Sequence, residues 1–282
     1  MHRLRHPISL FALVLLSLVL VLTVFFVARP ATILGIPIGL STSMSTDMPT
    51  KGIDVSRHQH DVSGAIVPID WCEVWNNGYS FTYIKATEGD SNPPQVKNEF
   101  LVPDVAAAET DNCKLFVGVY HLGRPDLHPD AVNEAEFFVS VAKDYLKPGY
   151  MQPALDIEDG YANKVSTDAL NVWVDTWMKT VTNETKSEAL PNGVQAILYV
   201  GKSTAKRMYP YISKYKLWIA DSNHPDGSGS PDISDTPWKT WTFWQYKPDS
   251  PKGSVPGIQT TVDLDIFNSA QFDWGESLIP SN

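Results

Sequence analysis

The stretch Gln152-Pro153-Ala154-Leu155-Asp156-Ile157-Glu158-Asp159 alternates apolar and acidic side chains over its second half. Successive side chains of a strand point to opposite faces, so Asp156 and Glu158 share one face with Cα atoms roughly 6.6 Å apart. Leu155 and Ile157 then face the other way, toward a covering layer of helices. A strand buried on both faces and closed by acids at its C-terminal end suits a parallel α/β sheet or barrel, whose active sites gather at that end.

Seven other segments read as strands: 52–56, 81–87, 115–122, 196–201, 216–220, 241–246 and 261–267. Several are nearly continuous apolar runs, as expected for strands covered on both sides. Helical patterns lie between the early ones. Asp70-Trp71-Cys72-Glu73 has the form of a capping box, with Trp71, Val74 and Trp75 on one stripe. Val132, Ala135, Val139, Ala142 and Leu146 form a second stripe, and Leu170, Trp173, Val174, Trp177 and Val181 a third. Strand then helix, repeated, predicts a parallel α/β barrel or a doubly wound sheet. Residues 221–240 break the rhythm with a polar, Gly/Pro/Ser-rich loop where a crossover helix is due. The barrel is therefore expected to be irregular, with helices outside its first five strands and few after them.

Two further acid groups end apolar strands: Asp54 in the first, and Asp263 with Asp265 in the last. In a closed barrel those strands are neighbours, so Asp54 and Asp263 are expected to meet. About one Asp-x-Glu spacing arises by chance in a chain of this length, so the weight rests on three acid clusters together. Several carboxyls in one pocket raise at least one pKa, as a general acid requires.

Composition removes other classes. With 282 residues, 43% hydrophobic and 19% charged, the chain is long and apolar enough for a substantial core. The formal net charge is −10 and no basic block occurs, which argues against nucleic-acid binding. Two cysteines exclude a multi-bridge framework and a four-thiolate zinc site. His58 and His60 flank Gln59 without a third ligand, so neither a metal nor another cofactor is expected. Residues Ile8 to Val27 carry no charge and are long enough to span a bilayer, with Arg3 and Arg5 before them and Arg29 after. The expected layout is a cytoplasmic stub and signal anchor over 1–29, a flexible linker over 30–50, and one exported domain over 51–282. The exported domain is extracellular or periplasmic; secretion after cleavage is the alternative.

The ordered blocks Gly52-Ile53-Asp54-Val55-Ser56 with Gln59, Ile69-Asp70-Trp71, Phe81-Thr82-Tyr83-Ile84-Lys85-Ala86-Thr87-Glu88-Gly89, Gly118-Val119-Tyr120-His121, Leu155-Asp156-Ile157-Glu158-Asp159, Leu217-Trp218-Ile219-Ala220, Trp244-Gln245-Tyr246 and Val262-Asp263-Leu264 carry a resemblance. The chain resembles the family 25 glycoside hydrolases, the Chalaropsis-type lysozymes or N-acetylmuramidases, over about residues 51–270. The resemblance implies an α/β, irregular TIM-like barrel of eight strands and about five helices. It also implies hydrolysis of the β-1,4 bond between N-acetylmuramic acid and N-acetylglucosamine in peptidoglycan. By motif position Glu158 is the general acid, Asp156 stabilises or orients the reacting centre, and Asp54 and Asp263 complete an acidic floor. The substrate's own 2-acetamido group or water remains open as the nucleophile.

Tyr120, Trp218, Gln245 and Tyr246 are expected at sugar-contacting positions. Lys85, Glu88 and Asp265 are counted with the substrate-facing residues, although Lys85 and Glu88 also fit a plain strand-end ion pair. The chain departs from the family pattern at His58, Leu122 and Asp265, where Trp, Phe and Asn are common. An inward Asp265 is expected to keep Glu158 protonated to higher pH. Cys72 and Cys113, on predicted helix positions, are expected to form one disulfide outside the cell. A monomer is expected, and the alternative function is an inactive peptidoglycan-binding protein on the same barrel.

Overall fold

The computed structural model describes residues 50–90 and 96–281. Eight strands close a barrel: β1 (Lys51–Val55), β2 (Phe81–Glu88), β3 (Phe116–Leu122), β4 (Ala154–Ile157), β5 (Ile197–Gly201), β6 (Leu217–Ala220), β7 (Phe243–Ser250) and β8 (Val262–Phe267). Strands β1 through β7 pair in parallel, whereas β8 runs antiparallel to both β7 and β1. The barrel is therefore mixed, not parallel throughout as the strand–helix rhythm suggests. A parallel pairing needs a crossover, and the turn-rich connection from β7 to β8 contains none, so the chain reverses as a hairpin.

Helices α1 (Trp71–Asn76), α2 (Leu101–Ala108), α3 (Ala131–Ala142), α4 (Asp159–Ala162), α5 (Thr167–Glu184) and α6 (Lys202–Ala205) follow the first five strands. No helix follows β6 or β7 before the next strand, and residues 221–240 form the expected loop. Asp70 caps α1 by accepting the Glu73 N–H, and Ser166 caps α5 by accepting the Ala169 N–H. The apolar stripe Leu170, Trp173, Val174, Trp177 and Val181 of α5 is buried against the barrel wall. Cys72 of α1 is disulfide-bonded to Cys113, which lies in the turn after α2 and not on a helix.

Period-two alternation sorts the barrel residues into two cores. Ile53, Ile84, Val119, Leu155, Ile157, Val200 and Ile219 point outward into the helix layer. Phe81, Tyr83, Tyr120, Ala154, Ile197, Trp218, Phe243 and Phe267 point inward. Trp274, in the short 3-10 helix Trp274–Ser277, packs on Phe81, Phe116 and Phe267 with ring centroids 5.5, 4.9 and 4.6 Å apart. This aromatic plug fills the end where β2, β3 and β7 begin. The opposite end is left for polar side chains. Gly118 makes room for the filling, since a Cβ there would come within 2.3 Å of the Tyr83 ring.

Residues Ile8 to Val27, the expected membrane anchor, lie outside the described residues. Among the described residues no helix is long and apolar enough to cross a membrane.

Candidate active site

At the mouth of the barrel is a cavity of about 520 Å³ lined by Asp54, Asp156, Glu158 and Asp263, with Lys85, Tyr120, Trp218 and Gln245 among the other lining residues. Three strands bring the four acids there. Asp54 ends the inward face of β1, Asp156 that of β4, and Glu158 sits at the turn from β4 into α4. Asp263 lies near the start of β8. Because β8 is antiparallel, its beginning reaches the mouth where the other strands end, and Asp263 becomes the register partner of Asp54.

Gln245 joins the two. Its Nε2 donates to Asp54 Oδ2 at 2.8 Å and to Asp263 Oδ2 at 3.3 Å, while its Oε1 accepts the Tyr199 hydroxyl at 2.9 Å. The second oxygen of Asp263 accepts the Asp249 backbone N–H at 2.6 Å. Asp249 stands on an irregular stretch of β7 with φ +48°, a left-handed conformation that aims this N–H at the carboxylate.

Opposite Glu158, Lys85 donates to Glu88 at 2.7 Å, and Arg124 donates to the other Glu88 oxygen at 3.0 Å. Burial works to raise the Glu88 pKa, but these two cations outweigh it and hold it below the ordinary range. The Arg124 guanidinium also lies 4.0 Å above the Tyr161 ring.

The acids respond to their crowding. Burial first, and the charge of Glu158 second, push Asp156 well above the usual carboxylate range, with Lys85 opposing. Its Oδ1 is buried without a hydrogen-bond partner among the described residues. Asp54 is likewise raised well above its ordinary value by burial and by Asp263, against the Gln245 bond. Asp263 is pushed up to about 6, chiefly by burial. Glu158 is also raised, by burial and then by Glu88 and Asp159, with Lys85 and Arg124 opposing. It remains solvent-accessible, so protein packed around it disfavours the charge without sealing it from water. The Tyr161 and Ala162 N–H groups fix its carbonyl, and its carboxyl makes no cap bond. The arrangement offers a proton donor at the mouth beside carboxyls that cannot all ionise together.

Two expected site residues lie elsewhere. Tyr246 is not among the cavity-lining residues and packs with the outer core beside Trp244, because it neighbours the inward Gln245 and so has the opposite facing. Asp265 is inward but lies beneath the cavity, 1% exposed, with its Oδ1 accepting the Trp218 indole N–H at 2.9 Å. The groups acting on Glu158 are Lys85, Glu88, Arg124 and Asp159, whereas Asp265 acts on Asp54. Its expected influence thus falls on the floor and not on the mouth. His58 and Gln59 line the cavity, while His60 is buried and paired with Asp104 at 2.8 Å.

Sequence reasoning missed Tyr199, Tyr161, Asp249 and Arg124. Tyr199 was available from alternation with the inward Ile197; Asp249 lies past the regular pairing of β7, Arg124 on a loop and Tyr161 on α4, where strand alternation gives no signal.

Residues 53–258 match the glycosyl hydrolases family 25. Lysozyme M1 of Streptomyces globisporus is 27% identical over 222 residues, covering 78% of this chain and 68% of that protein. The uncharacterized protein YegX of Escherichia coli strain K12 is 29% identical over 227 residues, covering 77% and 69%. The crystal structure of a bacterial lysozyme from Streptomyces coelicolor superposes with a TM-score of 0.61 at 26% identity, covering 79% of this chain and 94% of that one. With its barrel, its acid-lined mouth and a match over most of its length, the chain belongs to glycosyl hydrolases family 25.

Proposed function

We propose that the protein is a muramidase that cleaves the β-1,4 bond between N-acetylmuramic acid and N-acetylglucosamine in peptidoglycan. The observation that carries this reading is a solvent-accessible Glu158 at the mouth of an acid-lined cavity in which Asp54 and Asp156 are buried, with burial raising the Glu158 pKa. Glu158 donates its proton to the leaving glycosidic oxygen and regains one from solvent. Asp156 assists beside it, either holding the substrate's 2-acetamido group as nucleophile or orienting a water. Asp54 and Asp263, bridged by Gln245, form the floor. Tyr120 and Trp218 offer ring surface, and Lys85 lies close enough to Asp156 and Glu158 to moderate their charge.

The reading extends to location. An uncharged segment from Ile8 to Val27, preceded by Arg3 and Arg5, tethers the barrel on the outer side of a membrane, where its substrate lies. The Cys72–Cys113 disulfide fits an oxidising exterior.

Digestion of purified peptidoglycan by the full-length protein tests the activity. Wild type is expected to release muramic-acid reducing ends, and Glu158→Gln to lose about 100-fold or more of that rate. Binding without release from pH 4 to pH 8 (roughly the range in which a raised carboxyl titrates) would replace the enzyme with a wall-binding protein.

A further inference from the structure

Beneath the cavity, Asp265 has one oxygen accounted for and one not. Oδ1 accepts from Trp218, while Oδ2 is buried and meets no N–H or O–H donor among the described residues. A buried carboxylate oxygen without a donor is strongly disfavoured. The donors reaching this layer are engaged elsewhere: Gln245 Nε2 with Asp54 and Asp263, Tyr199 with Gln245, and Tyr83 with the Gln152 carbonyl. The inward acid next along β1 is Asp54, two residues beyond Asp265's register partner Gly52, and a hydrogen bond between the two carboxyls would satisfy Oδ2. Two carboxyls form such a bond only when one of them carries the proton.

We propose that Asp265 is a positioning residue that holds Asp54 through one shared proton, the pair working as a single monoanion beneath the site. Register supports the placement. Asp265 is the partner of Gly52 on β1 and of Gln245 on β7, and Asp54 lies two residues beyond Gly52 on the same inward face. Gly52 supplies no side chain to separate them. Asp54 is thereby held twice, by the Gln245 amide and by the Asp265 hydroxyl, so its cavity-facing geometry is fixed without a cation. The titratable groups around Asp265 are Asp54 on β1, Asp263 on its own strand, and the Tyr83, Tyr199 and Tyr246 phenols from β2, β5 and β7. Burial first, then the charges of Asp54 and Asp263, favour the neutral form of Asp265.

The proposal rests on the muramidase reading for its consequence but not for its chemistry, and two readouts separate them. The full-length protein is compared with Asp265→Asn, which keeps an acceptor for Trp218 and a donor for Asp54, and with Asp265→Leu, which keeps neither. Difference infrared spectra of wild type against Asp265→Asn at neutral pH are expected to show a protonated-carboxyl stretch that the variant lacks. Turnover of peptidoglycan is expected to fall by no more than about threefold in Asp265→Asn and by about tenfold or more in Asp265→Leu. No difference in the protonated-carboxyl band, or equal losses in both variants, would overturn the proposal. If Asp265→Leu does not fold, the infrared comparison decides alone. A wild type that leaves peptidoglycan intact would overturn the muramidase reading, with the infrared band still testing the shared proton.

Discussion

Asp54 and Asp263 are register partners on the first and last strands of the barrel, and one amide, that of Gln245, donates to both. Two acids from opposite ends of the chain meet because the barrel closes, and they stay together because a neutral donor lies between them. Gln245→Glu replaces that donor with a third carboxyl. It is expected to lower stability at neutral pH by about 2–4 kcal/mol, since it trades hydrogen bonds to charged groups for repulsion. Urea denaturation checks this, and a smaller loss is expected at acid pH, where the new group protonates.

Asp263 gives stability a pH dependence of known sign. Its folded pKa of about 6 lies above its ordinary value of 3.8, so the folded state holds the proton more tightly. That contribution is fully present below the unfolded pKa and is lost as pH rises through about 6. Asp263→Asn removes the titration while keeping an acceptor for the Asp249 N–H. It is expected to gain about 2 kcal/mol relative to wild type on going from pH 4 to pH 8, reduced by solvent screening at the cavity. Denaturant midpoints at the two pH values measure it, and a gain in the opposite direction would refute the assignment.

Gly118→Ala tests the packing beneath the site. The added Cβ falls within 2.3 Å of the Tyr83 ring, whose hydroxyl is anchored to the Gln152 carbonyl at 3.0 Å. The ring cannot swing aside without breaking that bond. A destabilisation of about 2–4 kcal/mol is expected, with lowered activity as the floor shifts. Thermal unfolding and turnover, measured together, report both effects.

Reduction of Cys72–Cys113 opens a loop of 41 residues that contains β2 and α2. Chain-entropy arguments give a loss of up to about 4 kcal/mol. The bond lies between α1 and the turn after α2, away from the cavity-lining residues. The double Cys→Ser variant is therefore expected to melt earlier while keeping its turnover at 25 °C (roughly the temperature at which these magnitudes apply).

Much of this architecture was legible in the alternation of single strands. Leu155 and Ile157 against Asp156 and Glu158 gave the facing of β4, and the polar run 221–240 announced the missing helix. The direction of β8 was less apparent: the hairpin follows from a turn-rich connection, whereas the apolar run of β8 itself reads alike in either direction. Gln245 and Tyr246 cannot both face the cavity, because neighbours on a strand point opposite ways. Asp249 could not be found by pattern, since its role depends on a bulge and a positive φ. Whether Asp265 faces inward, and which acid it influences, depends on register between strands, which no single strand contains.

The central claim is that Glu158 delivers the proton to the leaving oxygen. The most direct measurement compares wild type and Glu158→Gln on peptidoglycan and on an aryl glycoside whose leaving group departs without protonation. The account predicts a loss of about 100-fold to 10,000-fold on peptidoglycan and near wild-type rates on the activated substrate. Equal losses on both substrates, or full activity on peptidoglycan, would contradict it.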